Sequence, residues 1–250
     1  MAKGLPGIPL EDRLIVALDT GPDEALALVR QLRPAVGIFK VGLQLLMAAG
    51  GLGILERLRE EGVRVFLDLK MLDIPETVGR ALAEVQARHP HVVFTTVHAF
   101  NRGLESALRA RPAGSALQVL VVTLLTSMDT ADLAALGIAR SVEDFVLEQA
   151  GRAAEAGCDG VIASGLEAPA LRARYPALRI VTPGVRPATG QAGSDDQKRV
   201  VTPAQAILNG ADHLVVGRPV TRPPAGLTPA DAARAILAEV RTALAERGRG

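Results

Sequence analysis

The apolar positions fall in short, nearly continuous runs rather than in alternation: residues 14–18, 36–39, 63–67, 92–97, 117–124, 160–163, 179–182 and 213–216. Runs of this length without a polar face predict strands buried on both sides, as in a parallel sheet. Between them the spacing turns helical. Helices are expected over 24–32, from Gly42 to about Arg59, and over 76–88, 102–109, 167–173, 203–209 and 229–246. A further helical region follows Thr126, breaks near Gly137 and restarts at the capping-like Ser141-Val-Glu-Asp144. About eight strand–helix repeats predict an α/β chain folded as a (β/α)8 TIM barrel. No linker or charge run divides residues 1–250, so a single domain is expected. The alternative, a doubly wound open sheet, calls for a glycine-rich dinucleotide loop after the first strand, and Asp19-Thr-Gly-Pro is not one.

On such a barrel, chemistry sits at the C-terminal ends of the strands. Polar groups recur there: Asp19 after the first run, Lys40 after the second, Asp68 and Lys70 at the third, Thr126 after the fifth, Arg186 after the seventh and Arg218 after the eighth. Asp68 and Lys70 are two apart and would share one face of a strand. Asp73 follows closely, and Pro75 suits the first turn of a helix, where no amide donor is needed. Alone, that trio reads equally well as a surface ion pair, which contributes little; two lysines and two aspartates on one rim favour an active site. Gly217-Arg218 brings an open backbone amide and a guanidinium fork to the rim where phosphate commonly binds. The loop from Pro187 to Gln197, with Gly190 and Gly193, is expected to act as a lid. Among the histidines, His89 and His91 flank Pro90 and are expected to be solvent-exposed. His213 opens the last strand in a structural role, and His98, at a strand end, is expected to position rather than transfer protons.

Composition narrows the classes. Hydrophobic residues make up 48% of the chain, enough for a large core. A net charge of +1 with scattered Lys and Arg argues against a nucleic-acid or polybasic membrane surface, and 2% aromatics argue against base-stacking platforms. The single cysteine, Cys158, excludes an intramolecular disulfide, argues against a cysteine metal site and suits a small buried position. The first residues lack the apolar core of a signal peptide, and the longest apolar run, 116–125, contains Gln118 and is too short to span a bilayer. A soluble cytoplasmic protein is expected.

Taken together, Asp19, Phe39-Lys40-Val-Gly42, Asp68-Leu-Lys70-Met-Leu-Asp73-Ile-Pro75, Thr126-Ser127, Thr182-Pro-Gly-Val-Arg186-Pro, Asp196-Gln197-Lys-Arg199 and Val216-Gly217-Arg218-Pro resemble the orotidine 5′-phosphate decarboxylase family, from about Arg13 to Val220. The segment between Arg186 and Gln197 is slightly longer than in the bacterial pattern. The resemblance implies a carboxy-lyase that converts orotidine 5′-phosphate to UMP, the final step of de novo pyrimidine biosynthesis, with neither metal nor organic cofactor. It implies Lys70 as the general acid, flanked by Asp68 and Asp73, with Lys40 completing an alternation of charges. Asp19 and Lys40 would hold ribose hydroxyls and Thr126 would lie by the pyrimidine. Gln197, Gly217 and Arg218 would grip the phosphate, with Arg186 at the same end. It also implies a homodimer with sites at the interface, in which Asp73, Ile74 and Thr77 reach into the partner's site. Two alternatives remain open. One is a metal-dependent sugar-phosphate decarboxylase or aldolase, which shares the Asp-x-Lys-x-x-Asp core but carries an acidic residue where Lys40 stands. The other is a non-catalytic phosphate-ligand-binding barrel.

Overall fold

A computed structural model describes residues 7–100, 104–109, 115–187 and 199–248. The expected lid therefore lies outside the described residues, except for Pro187. Eight parallel strands close into a barrel in sequence order. They are β1 (Leu14–Ala17), β2 (Ile38–Gly42), β3 (Arg64–Met71), β4 (Val92–His98), β5 (Gln118–Val122), β6 (Gly160–Ile162), β7 (Arg179–Thr182) and β8 (His213–Val216). The helices outside them are α1 (Pro22–Leu32), α2 (Leu43–Met47), α3 (Ile54–Glu60), α4 (Pro75–Arg88), α5 (Leu104–Arg109), α6 (Thr130–Ala135), α7 (Val142–Ala156), α8 (Ala168–Arg174), α9 (Pro203–Leu208), α10 (Arg218–Thr221) and α11 (Pro229–Arg247).

The nearly continuous apolar runs have a direct cause. One set of side chains, including Ile15, Ile38, Phe66, Phe94, Leu120 and Val181, fills the barrel interior. Their strand neighbours, such as Leu14, Val16, Phe39, Val65 and Val119, pack outward under the helices. Phe66 and Phe94 meet edge to face inside, with centroids 6.0 Å apart. Helix starts follow the capping rules: Ser141 accepts from the Asp144 amide, and Thr228 with Asp231 forms a capping box at α11.

Two expectations are corrected. The single helix foreseen after Gly42 is divided into α2, a 3-10 turn over Gly51–Gly53, and α3. Gly50 takes a left-handed φ of 77°, and a Cβ on Gly51 would run into the Leu45 carbonyl. This pair of glycines ends α2 and lets the chain fold back against it. His89 and His91 are half-buried rather than exposed. The turn that carries them lies on α3, where His89 Nδ1 sits 3.2 Å from Glu56 Oε1, and burial is the main cause lowering the His91 pKa. Cys158 is buried just before β6, as expected. Among the described residues no helix is long and apolar enough to cross a membrane.

The N-terminal end of the barrel is closed by a buried polar plug. His213 Nδ1 lies 2.7 Å from the Asp12 carbonyl and so carries the proton in the neutral ring, while Nε2 faces Arg179 at 3.4 Å. Asp212 accepts from Arg172 at 2.6 Å and from the Ile180 amide at 2.9 Å. Burial lowers the His213 pKa from 6.5 to about 4. The unfolded chain therefore binds a proton near pH 6.5 that the folded chain refuses until about pH 4. The stability contributed by neutral His213 is complete above that window and is lost as pH falls through it, by up to about 3 kcal/mol. In urea unfolding followed from about pH 7.5 to about pH 4.5, His213→Asn is expected to remove this part of the acid slope; an unchanged slope would contradict the assignment.

Candidate active site

At the C-terminal rim, β3 departs from regular pairing. Its partners on β4 step from Leu67↔Thr95 to Met71↔Val97, so four residues of advance on β3 match two on β4. Within this bulge Lys70 has a φ of 50°, and it is the only non-glycine residue with positive φ among the described residues. A left-handed lysine costs on the order of 1–3 kcal/mol and has to be held by its surroundings. Its amide donates to Thr96 Oγ1 at 2.9 Å and its Nζ donates to Asp68 Oδ2 at 2.8 Å. Strand alternation thus anticipates the Asp68–Lys70 contact but not the backbone that makes it.

From Lys70 the charges alternate across three strands. Asp68 Oδ2 is 3.7 Å from Lys40 Nζ, and Lys40 Nζ donates to Asp19 Oδ1 at 3.1 Å. The β2–β3 register places Gly42 opposite Asp68. A Cβ on Gly42 would come within 3.0 Å of the Lys40 ammonium, so glycine leaves that cation its space. Gln44 donates to the Asp19 carbonyl at 3.1 Å and fixes the other end of the chain of charges. Burial pushes the Asp68 pKa upward, but Lys40, Lys70 and hydrogen bonds from Lys70 and Thr96 outweigh it, and the carboxyl is held below its usual value.

These groups wall a cleft of about 570 Å³, floored by barrel-core residues including Phe66, Val122, Ile162 and Val215. Of the residues expected at the site, Asp19, Lys40, Asp68, Lys70, Thr126, Arg186, Gly217 and Arg218 all line it. The alternating charges occupy the β1–β3 side, and Arg186 and Arg218 enter from β7 and β8. Asp73, Ile74 and Thr77 are exposed and do not line this cleft. Asp73 accepts from the Ile74 amide at 2.6 Å and borders a separate small crevice beside His98. Gln197 lies outside the described residues. A larger groove of about 730 Å³ lies between outer helices, bordered by Arg140, Glu148 and Tyr175. Glu148 is paired there with Arg140 at 3.0 Å and with Arg152 at 2.9 Å, so its charge is answered on the surface of the outer helices, away from the barrel rim.

Thr96 went unnamed in the sequence, and Arg199 was named in a motif without a role. Thr96 is fully buried and sits in an apolar run, so it reads as a core β-branched residue. Arg199 is buried against Glu167 at 2.8 Å and donates to the Leu124 and Leu125 carbonyls, tying the chain after β7 to the segment just before Thr126. Burial raises the Glu167 pKa against the pull of Arg199. His98 is half-buried and stacks on Phe100 at 5.3 Å; burial first, then Lys70, lowers its pKa.

A closed parallel barrel with an apolar-floored cleft, alternating ammonium and carboxylate groups at one side and two guanidinium groups at the other, defines a barrel enzyme for a small anionic substrate. Comparison with known proteins is more specific. Residues 12–236 match the orotidine 5′-phosphate decarboxylase / HUMPS family, and the chain belongs to this family. It is 48% identical over 243 residues to an orotidine 5′-phosphate decarboxylase of a Bradyrhizobium strain, covering 95% of each chain. It is 47% identical over 241 residues to that of Methylococcus capsulatus, covering 95% of this chain and 96% of the relative. Among solved structures, the orotidine 5′-phosphate decarboxylase of Lactobacillus acidophilus is similar, with a TM-score of 0.75, 33% identity, and 92% of this chain and 99% of that one covered.

The left-handed lysine is open to a stability test that does not depend on activity. In urea unfolding Lys70→Gly is expected to be more stable than Lys70→Ala, by roughly 1 kcal/mol, because both lose the ammonium and only alanine retains the Cβ penalty. An alanine variant as stable as the glycine variant would show that the position does not require left-handed backbone.

Proposed function

We propose that the chain decarboxylates orotidine 5′-phosphate to UMP, a carboxy-lyase reaction of pyrimidine biosynthesis, and that it does so without metal or organic cofactor. The observation that carries this reading is the unbroken sequence Asp19–Lys40–Asp68–Lys70 along one wall of the cleft. In this reading the phosphate lies toward Arg186, Gly217 and Arg218, the ribose toward Asp19 and Lys40, and the pyrimidine over the apolar floor beside Thr126. The bond from C6 to the carboxylate breaks, CO2 departs and the electron pair stays on C6. The Lys70 ammonium, already in place, stabilises that charge and donates its proton to C6; solvent then reprotonates the amine. Asp68 Oδ2 accepts from the Lys70 ammonium at 2.8 Å and holds it at the reacting side of the cleft.

The metal-dependent alternative is disfavoured by Lys40. Its ammonium stands between Asp19 and Asp68, at 3.1 and 3.7 Å, in the space a divalent cation bridging those carboxylates would need. A homodimer with shared sites is part of the proposal, as is a cytoplasmic location. The dimer is supported by the exposure of Asp73, Ile74 and Thr77 away from their own cleft, and by the exposed apolar residues Leu72 (57%), Ile74 (63%) and Phe100 (51%) beyond the ends of β3 and β4.

Purified protein dialysed against chelator is expected to convert orotidine 5′-phosphate to UMP, followed by ultraviolet absorbance, and Lys70→Ala is expected to lose nearly all turnover while staying folded. Activity that requires added metal would favour the rival chemistry; near-normal turnover by Lys70→Ala would remove it as the acid. Mixing inactive Asp73→Asn with inactive Lys70→Ala subunits is expected to restore part of the activity. Absence of recovery, with mixed dimers confirmed, would count against sites completed by the partner.

A further inference from the structure

We propose that Thr96 is a positioning residue for this reaction, its single hydroxyl fixing the backbone of Lys70 and the carboxylate of Asp68 together. Thr96 lies on β4, is fully buried and does not line the cleft, so it acts only through its neighbours. A threonine hydroxyl has one proton and can accept in two directions. Here it accepts from the Lys70 amide at 2.9 Å and donates to Asp68 Oδ1 at 2.8 Å. The ring of contacts then closes, because Asp68 Oδ2 accepts from Lys70 Nζ at 2.8 Å. Left-handed backbone, carboxylate and ammonium become one unit with the hydroxyl at its hub.

The bulge explains why a hydroxyl is needed. Where β3 gains residues relative to β4, main-chain groups lose their ladder partners and have to be satisfied in some other way. Two adjacent β4 side chains supply the replacements. Thr95 Oγ1 donates to the Leu67 carbonyl at 2.9 Å, and Thr96 Oγ1 takes up the Lys70 amide. Thr95 therefore secures the entrance to the bulge, while Thr96 secures its strained residue and also reaches Asp68. Because the Thr96 proton is directed at Oδ1, Asp68 is held as an acceptor, in its ionised form. The charged and titratable groups around that carboxylate are Lys40 from β2, Lys70 from its own strand, His98 from β4, and Asp19 beyond Lys40. A hydroxyl deletion leaves all of them in place.

This inference rests on the reading that Asp68 and Lys70 carry the chemistry, and the test separates the two. Thr96→Val is expected to lower kcat about tenfold to a hundredfold with KM changed by less than about threefold, since the displaced groups act on the reacting centre rather than on substrate binding. The acid limb of kcat/KM should move to higher pH in Thr96→Val, because Asp68 loses a donor to its charged form, and Thr96→Ser should restore both rate and profile. Thr95→Val should lower the melting temperature without moving the acid limb. If Thr96→Val does not fold, Thr96→Ala is read in its place. Wild-type kcat in the hydroxyl-free variant, an unmoved acid limb, or a loss in Thr96→Ser equal to that in Thr96→Val would overturn the proposal. Asp68→Asn is assayed beside them. Near-normal turnover there brings down the role of Asp68 itself, whereas a dead Asp68→Asn with an unaffected Thr96→Val brings down this inference alone.

Discussion

Asp68 is 9% exposed, and a carboxylate taken that far from water stays ionised only if its surroundings replace the lost hydration. Three strands contribute to doing so. Lys40 comes from β2, Lys70 from a bulge in β3 and the Thr96 hydroxyl from β4. Removing any one leaves a buried charge short of a partner, which costs more than the net worth of the contact when intact. The register of these strands, the left-handed Lys70 and the glycine opposite Asp68 are arranged to supply those partners at one point. A parallel barrel suits the task because all its strands end on the same rim, so groups remote in sequence meet without any long excursion of the chain.

The strands were legible in the sequence because both faces of each are buried, which leaves nearly continuous apolar runs. The rim was legible because charges at the ends of such runs have no packing role. What stayed hidden depended on contacts between strands. Alternation put Asp68 and Lys70 on one face and so anticipated the right neighbours, but through a regular strand that does not exist at that point. Thr96 sits in an apolar run and carries no sign of its two bonds; only the bulge on the neighbouring strand gives its hydroxyl a purpose. The break after Gly42 was missed because helical spacing continues across Gly50, where backbone conformation rather than hydrophobicity decides. His89 and His91 were misread because flanking a proline suggests a surface turn, whereas α3 covers it.

The two ends of the barrel use buried polar groups to opposite ends. At the N-terminal end, Asp212 is answered by Arg172 and the Ile180 amide, and His213 is held neutral between a carbonyl and a guanidinium. That network closes the barrel, with its charged groups answered by one another and by main-chain groups. At the C-terminal end, the same kinds of group face an open volume, and Lys70 carries the one left-handed non-glycine backbone among the described residues. Strained residues held by over-determining neighbours cluster at functional sites, and Lys70 stands at the end of the barrel that carries the cleft.

The charges of the cleft also fall into two unequal parts. Asp19, Lys40, Asp68 and Lys70 sum to zero, so this wall offers little net attraction to an anion, whereas the guanidinium groups of Arg186 and Arg218 line the opposite side. Under the proposed reaction, a substrate carrying a carboxylate and a phosphate would draw its affinity from the guanidinium side and meet an ionised Asp68 at the reacting side. Binding free energy from the remote phosphate would then hold the carboxylate beside Asp68 until CO2 departs and the negative charge moves to C6, within reach of Lys70. The balanced wall is suited to that sequence. A surplus of positive charge beside C6 would bind the ground-state carboxylate as tightly as the developing carbanion, and only interactions that strengthen in the transition state raise the rate.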